Sequence, residues 1–303
     1  MNKALGSKPY RDFADFISGF FKGKIQKISV NAALGCPNRD GTIGTGGCTY
    51  CNNAAFSPAY TQSLRPIATQ LEEGKSFFRR KYPVMKFLCY SQSYTGTHGT
   101  IEKLIPLYKQ ALSVKDVEGL IIATRPDCVP DQLMDELKKL SMHKFIMFEF
   151  GAESSHDSTL LRINRCHTWQ DTCDAVLRVK NEGFPVGLHL INGLPGEDES
   201  MILETVRKVN TLPIDIVKFH QLQVIRNTRL HQDLLKGLYT VPIWNVNEYI
   251  ALCCKIIRLL RKDIAIERFV SQSPDELLVS PRWGLKNYEF THLLHKSLSE
   301  SIL

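Results

Sequence analysis

The sequence predicts an α/β protein, a partial (β/α)6 TIM-type barrel with a small C-terminal extension. Three observations carry this. Short apolar runs alternate with amphipathic helical segments in six successive units before about residue 240. Several of these runs are apolar almost throughout, as the strands of a parallel sheet covered on both faces are. Each run also leads into polar or chemically capable side chains, and barrels of parallel strands place their chemistry at the C-terminal strand ends. A doubly wound open sheet is the competing arrangement.

The units follow in order. Residues 25–31 (IQKISVN) read as a first strand, followed by a Gly-rich segment over 35–47. Leu64, Ile67, Leu71, Phe77 and Phe78 set a helical period over 63–81, and KFLCY at 86–90 reads as a second strand. A helix is expected over 100–113 and a third strand at 119–123 (GLIIA). Pro130 and Asp131 start a helix with Leu133, Met134, Leu137 and Leu140 on one face. KFIMFEF at 144–150 reads as the fourth strand, and helices run to Gly183. VGLHLI at 186–191 reads as the fifth strand, then a helix behind Asp198 carries Ile202, Val206 and Val209. DIVKFH at 215–220 reads as the sixth strand, before a short helix to Lys236. Beyond it a helix is expected over 246–262 and a short strand over 264–267. The expected division is a core barrel over 1–240 and an extension over 241–303 packed on it.

The chain has 303 residues, and its 38 Lys and Arg against 31 Asp and Glu give a formal charge of +7. That excess is compatible with a polyanionic partner such as RNA without demanding one. Asp12, Asp15, Lys22 and Lys24 interrupt every apolar run near the N-terminus, and no later run is long enough to span a bilayer. The protein is therefore expected in the cytoplasm, without a membrane partner, and its nine cysteines as thiols, metal ligands or core residues.

Three of those cysteines stand apart. Cys36, Cys48 and Cys51 share one Gly-rich loop, separated by eleven and then two residues. A Cys-x-x-Cys pair with a third nearby thiol makes a soft donor set suited to an iron–sulfur cluster or to zinc. Three thiolates on a four-iron cubane leave one iron open to a small molecule. Zinc with a distant fourth ligand is the competing reading, and a redox Cys-x-x-Cys pair a weaker third. The expected strand ends supply the rest of a rim: Ser91 to Ser93 after strand two, Thr124, Arg125 and Asp127 after strand three, and Glu153 and Ser154 after strand four. Asn192 and Gly193 follow strand five, and His220 and Gln221 close strand six.

At this point the sequence resembles the radical S-adenosylmethionine (SAM) proteins of the YhcC-like group, related to the radical domain of the Elongator catalytic subunit. The resemblance covers residues 8 to 285. Its motifs, in order, are CPNRDGTIGTGGCTYCN (36–52), TRPDCVPD (124–131), RINRCHT (162–168), HLINGLPGE (189–197) and ELLVSPRW (276–283). Most members of the superfamily space their cysteines by three and then two residues; the spacing here matches the YhcC-like group. Cys166 stands where that group commonly has Gly.

The resemblance implies a 4Fe-4S cluster on Cys36, Cys48 and Cys51, with the amine and carboxylate of SAM on the fourth iron. Reductive cleavage of SAM then gives methionine and a 5′-deoxyadenosyl radical that abstracts hydrogen from substrate. It implies Tyr50 near the adenine, Ser91 and Gln92 at the methionine amine, and Glu153 at the ribose hydroxyls. Arg165 falls at the methionine carboxylate, and Ile191, Asn192 and Gly193 pass the adenine backbone-first. No further catalytic residue is assigned. The implied partners are a tRNA or other RNA substrate and an electron donor such as flavodoxin or ferredoxin. The chain is short for the acetyltransferase domain that accompanies the Elongator radical domain, so the same acetyl transfer is not expected. A small-molecule substrate such as a porphyrin precursor is the alternative among enzymes, and a metal-containing RNA-binding barrel without radical chemistry the alternative outside them. Cys89, Cys173, Cys253 and Cys254 are expected in the core, Cys128 on the rim loop after strand three, and Lys218 and His189 facing into the barrel.

Overall fold

The computed structural model describes residues 8–61 and 65–300. Residues 1–7, at the start of the expected core, and Leu64, in the expected helix over 63–81, lie outside the described residues. Six strands form the half-barrel: β1 Ile25–Val30, β2 Lys86–Ser91, β3 Val117–Thr124, β4 Phe145–Glu153, β5 Val186–Asn192 and β6 Ile216–Gln221. β7 Val224–Ile225 and β9 Leu278–Ser280 form a separate two-stranded antiparallel sheet, and β8 Ala265–Ile266 lies between them in sequence. The main sheet runs β1-β2-β3-β4-β5-β6-β8, parallel throughout. The expected half-barrel is thus present, with a seventh strand added at its edge by the segment expected to be a short strand at 264–267.

The apolar strands earn their composition by burial on both faces. Phe87, Leu120, Phe148, Leu188 and Val217 point outward to the helices, while Leu88, Ile121, Met147 and Ile216 point inward. The inner group is closed off by Phe16 and Ile17 from a short helix, Phe13–Ile17, whose start is fixed by a reciprocal Asp12 and Asp15 capping box. This apolar plug shuts the N-terminal end of the barrel. Cys89, Cys253 and Cys254 are buried in the core, and Cys173 packs against it half-buried.

Some elements differ from expectation. The helix expected over 63–81 runs Ile67–Arg79 behind Pro66. The helix expected over 246–262 ends at Leu259. The plug helix and a last helix, Asn287–Glu300, escaped the sequence reading, although Phe290, Leu294 and Leu298 recur every four residues and are the side chains it buries. Among the described residues no helix is long and apolar enough to cross a membrane.

The sheet does not close on itself, and charged side chains span the gap. Lys27 on β1 lies 2.5 Å from Glu267, just past β8 at the opposite edge. Backbone from the N-terminal segment completes the seam, Ile266 donating to the Arg11 carbonyl at 2.8 Å.

Candidate active site

The loop after β1 folds on itself before it presents its thiols. The Cys36 carbonyl accepts from Arg39 at 2.8 Å, the Pro37 carbonyl from Ile43 at 2.8 Å, and the Asn38 carbonyl from Gly47 at 2.7 Å. Asn38 is fully buried and is the loop's clamp. Its amide donates to the Asn164 carbonyl at 2.6 Å and approaches the Cys48 sulfur at 3.6 Å. Asn164 answers by donating to the Gly47 carbonyl at 2.8 Å. Gly44 is required here, because a Cβ would collide with Asn38 Oδ1 and sit 2.8 Å from the Cys166 sulfur. Cys166 itself adopts φ 58°, a left-handed conformation that suits glycine, which accounts for the glycine common at this position in the group. Its exposed thiol donates to Asn38 Oδ1 at 3.2 Å.

Cys36, Cys48 and Cys51 all line one cavity at the C-terminal end of the strands. Burial, then the neighbouring Cys48, pushes the Cys51 thiol up to about 11, while Arg39 opposes the rise. The three thiols share one cavity lining, and soft sulfur donors match an iron–sulfur cluster. Arg165 adds a charged donor, with Nη1 3.5 Å from the Cys48 sulfur. Its Nη2 donates to the Gly151 carbonyl at 2.6 Å and lies 3.4 Å from Glu153, and its Nε is buried without a partner. Glu153 has φ 65°, where the β4–β5 register slips between Gly151 and Glu153. A non-glycine residue held there is strained, and such strain persists where the surroundings enforce it.

Of the residues assigned from the resemblance, Tyr50, Gln92, Glu153, Arg165 and Ile191 line the cavity with the cysteines. Gln92 accepts from the Ser29 hydroxyl at 3.1 Å. Ser91, Asn192 and Gly193 are not part of the lining. Ser91 is buried within β2 with its hydroxyl unpartnered. Asn192 is committed to the Tyr249 hydroxyl at 3.1 Å, and the Trp244 ring covers Gly193 so closely that a Cβ there would meet it at 2.8 Å. Cys128 lies in a neighbouring pocket rather than this one, its thiol raised to about 12 by burial and Asp127.

The cavity floor is charged, which the sequence reading caught only at Lys218 and His189. Glu149 on β4 meets Lys27 at 2.5 Å, Lys218 at 3.1 Å and His189 at 2.6 Å. Glu267 meets both lysines, Lys218 at 3.1 Å, so four charges form a closed ring. Tyr90 accepts from Lys218 at 3.1 Å above it. Burial alone would raise the Glu149 carboxyl, but Lys218, Lys27 and His189 outweigh it and hold it well below the ordinary carboxylate value. A charged residue inside an otherwise apolar strand, Glu149 in KFIMFEF and Lys27 in IQKISV, is the one local sign of buried charge here, and it does not name the partners.

Three rings near the site are held neutral. His167 is pushed down to about 4 by burial and by Arg165, His189 is lowered by burial and Lys218 against the pull of Glu149, and His220 is lowered well below 6.5 by burial and Arg268. Between pH 6.5 and about 4 the unfolded chain takes up protons at His167 that the folded chain refuses. Stability therefore falls as pH drops through this window, by up to ~1.4 kcal/mol per pH unit from His167, with His189 and His220 adding in the same direction. Urea unfolding of the apoprotein across that window checks the slope; a flat or rising stability on acidification would contradict it.

A parallel half-barrel whose strand ends carry a three-cysteine loop defines the radical SAM class. Residues 31–209 match the Radical SAM superfamily and residues 214–300 the Radical_SAM C-terminal domain, and the chain belongs to this superfamily. It falls in the YhcC-like group related to Elongator. It is 33% identical over 261 residues to Protein YhcC of Escherichia coli K12, covering 86% of this chain and 82% of that one. It is 31% identical over 291 residues to the uncharacterized protein YtqA of Bacillus subtilis, covering 96% and 90%. The tRNA uridine(34) acetyltransferase of Methanocaldococcus jannaschii is 26% identical over 185 residues, 60% of this chain and 33% of that one. Among solved structures, Methanocaldococcus infernus Elp3 superposes with a TM-score of 0.69 at 18% identity, over 93% of this chain and 64% of that chain. The cofactors of the family, a 4Fe-4S cluster and SAM, are the cofactors of this protein.

Proposed function

We propose that the protein cleaves SAM reductively at a cluster ligated by Cys36, Cys48 and Cys51 and uses the resulting radical to modify RNA, with a tRNA base as the target. The observation that carries the reading is the convergence of three thiols from one clamped loop on a cavity shared with Gln92, Glu153 and Arg165. When bound, the cluster and SAM supply an electron and a carbon radical. The chain's own residues orient and exclude. Asn38 and Arg165 donate toward the Cys48 sulfur and orient it as a ligand. The free Nε of Arg165 and the carboxylate of Glu153 are left to meet polar groups of SAM. The apolar plug of Phe13, Phe16 and Ile17 shuts water out from below.

The RNA target is supported by the M. jannaschii relative, which carries tRNA in its name, and by the net charge of +7. The acetyl transfer in that name stays with that relative, of which the match spans one third. The remaining parts of the reading are a cytoplasmic location, a flavodoxin or ferredoxin as electron donor, and residues 241–303 as an extension of a core over 1–240.

The test is anaerobic reconstitution with iron and sulfide, then dithionite and SAM, with and without bulk tRNA. The expected result is 5′-deoxyadenosine, in larger amount with tRNA, and RNA binding that weakens steeply as salt rises. Full cluster loading and SAM binding without any cleavage, tRNA present or absent, would overturn the radical reading. Cleavage with salt-independent RNA binding would overturn the RNA target alone.

A further inference from the structure

Among the described residues, each charged side chain lining the cavity has a protein partner suited to it, with one exception. Arg125 grips Asp127 at 2.7 and 2.9 Å, Arg165 has Glu153 and the Gly151 carbonyl, and Arg39 has the Cys51 carbonyl. Arg268 has no carboxylate and no carbonyl. Its Nε is buried without a hydrogen-bond partner. Its Nη2 lies 3.3 Å from His220 Nδ1 and 3.4 Å from Nε2, so it is aligned with neither lone pair.

The charge count around it is unbalanced. Lys27 and Lys218 offset Glu149 and Glu267 within the four-charge ring, and the oxygens of Glu267 are taken by the two lysines. His189 and His220 are neutral. Arg268 is left as a surplus positive charge against a cavity wall, and a guanidinium held that way is costly without a counter-charge. Its fork of N–H donors matches a carboxylate or a phosphate in two-point contact.

We propose that this end of the cavity binds an oxyanion of the substrate, a carboxylate or a phosphate, on Arg268. The group is distinct from the carboxylate of SAM. Arg165, beside the thiols, follows β4, whereas Arg268 follows β8, beyond β5 and β6 in the sheet. The inference rests on the reading of this cavity as the radical site, but not on the RNA target: a nucleotide phosphate and a small carboxylic acid both satisfy it.

The experiment is calorimetric titration of the reconstituted holoprotein, with SAM present, using inorganic phosphate in one arm and succinate in the other. Saturable binding of one anion by the wild type is expected, and the arm that binds names the source. Arg268→Gln should weaken that binding by about 10-fold or more. Arg268→Lys, which keeps the charge but loses the fork, should fall between. In anion-free buffer Arg268→Gln should unfold at the wild-type temperature or above it, because no partner is orphaned. The proposal is overturned by no saturable binding of either anion to the wild type, or by equal binding to Arg268→Gln. It is equally overturned if Arg268→Gln loses SAM affinity, which would assign the residue to the cofactor, or if it melts earlier, which would make it structural. Failure of the wild type to cleave SAM would instead count against the radical reading and leave anion binding as measured.

Discussion

Replacing Cys48 by alanine is expected to remove the visible iron–sulfur absorbance and to bring 5′-deoxyadenosine formation to background, a loss of about 1,000-fold or more, well beyond the 10–100-fold typical of losing an outer partner of a metal ligand. Cys48 is the buried member of the three and the one whose sulfur faces both Asn38 and Arg165. Without it the remaining pair has no third corner, and the two donors face a methyl group. Asn38→Ala supplies the contrast. It removes one donor to the sulfur and the clamp on the Asn164 carbonyl, yet leaves all three thiols. It should therefore assemble a cluster and lose activity only in that 10–100-fold range. Iron and sulfide content, read beside product formation, separates the two variants. Retention of a full cluster and full cleavage by Cys48→Ala would remove the loop from the chemistry.

How far the sequence could be read follows from the range of each interaction. The half-barrel was legible because strand and helix periods are local, and runs such as GLIIA declare burial on both faces within five residues. The thiol loop was legible because its spacing lies within sixteen residues. The floor was not, because its pairs join positions as far apart as Lys27 and Glu267, 240 residues in sequence. Lys218 and His189 could be placed facing inward, but nothing local says that Glu149 sits between them. Arg268 was invisible for the opposite reason: what marks it is a missing partner, and only coordinates reveal that. Ser91, Asn192 and Gly193 were assigned by position on a motif. The register of β2 and the cover of Trp244 and Tyr249, more than fifty residues downstream, decide which strand-end groups meet the cavity.

The largest stability effect should come from Glu149. It is 1% exposed and is the shared partner of Lys27, Lys218 and His189. Glu149→Gln keeps the shape and removes the charge, leaving two buried ammonium groups to share Glu267 alone. Breaking a buried pair from one side costs ~3–5 kcal/mol, because the remaining charge keeps its desolvation penalty. A loss of that size should appear in urea unfolding of the apoprotein at neutral pH, where Glu149 is ionised in the folded state. The mechanism is tested by restoring charge parity. Adding Lys218→Met to Glu149→Gln leaves one lysine and one carboxylate, the Lys27–Glu267 pair across the barrel seam. The double variant should then be more stable than Glu149→Gln alone by ~1 kcal/mol or more, a coupling within the range for residues of one network. Simple addition of the two single losses would mean that packing, not charge balance, sets the cost. A loss below ~1 kcal/mol for Glu149→Gln would mean that the ring is open to water and screened. The same variant bears on function, because the ring braces the strands that carry His189, His220 and Arg268 into the cavity. Destabilising it should loosen the Arg268 end of the cavity while leaving the thiol loop, clamped separately by Asn38 and Asn164, in place.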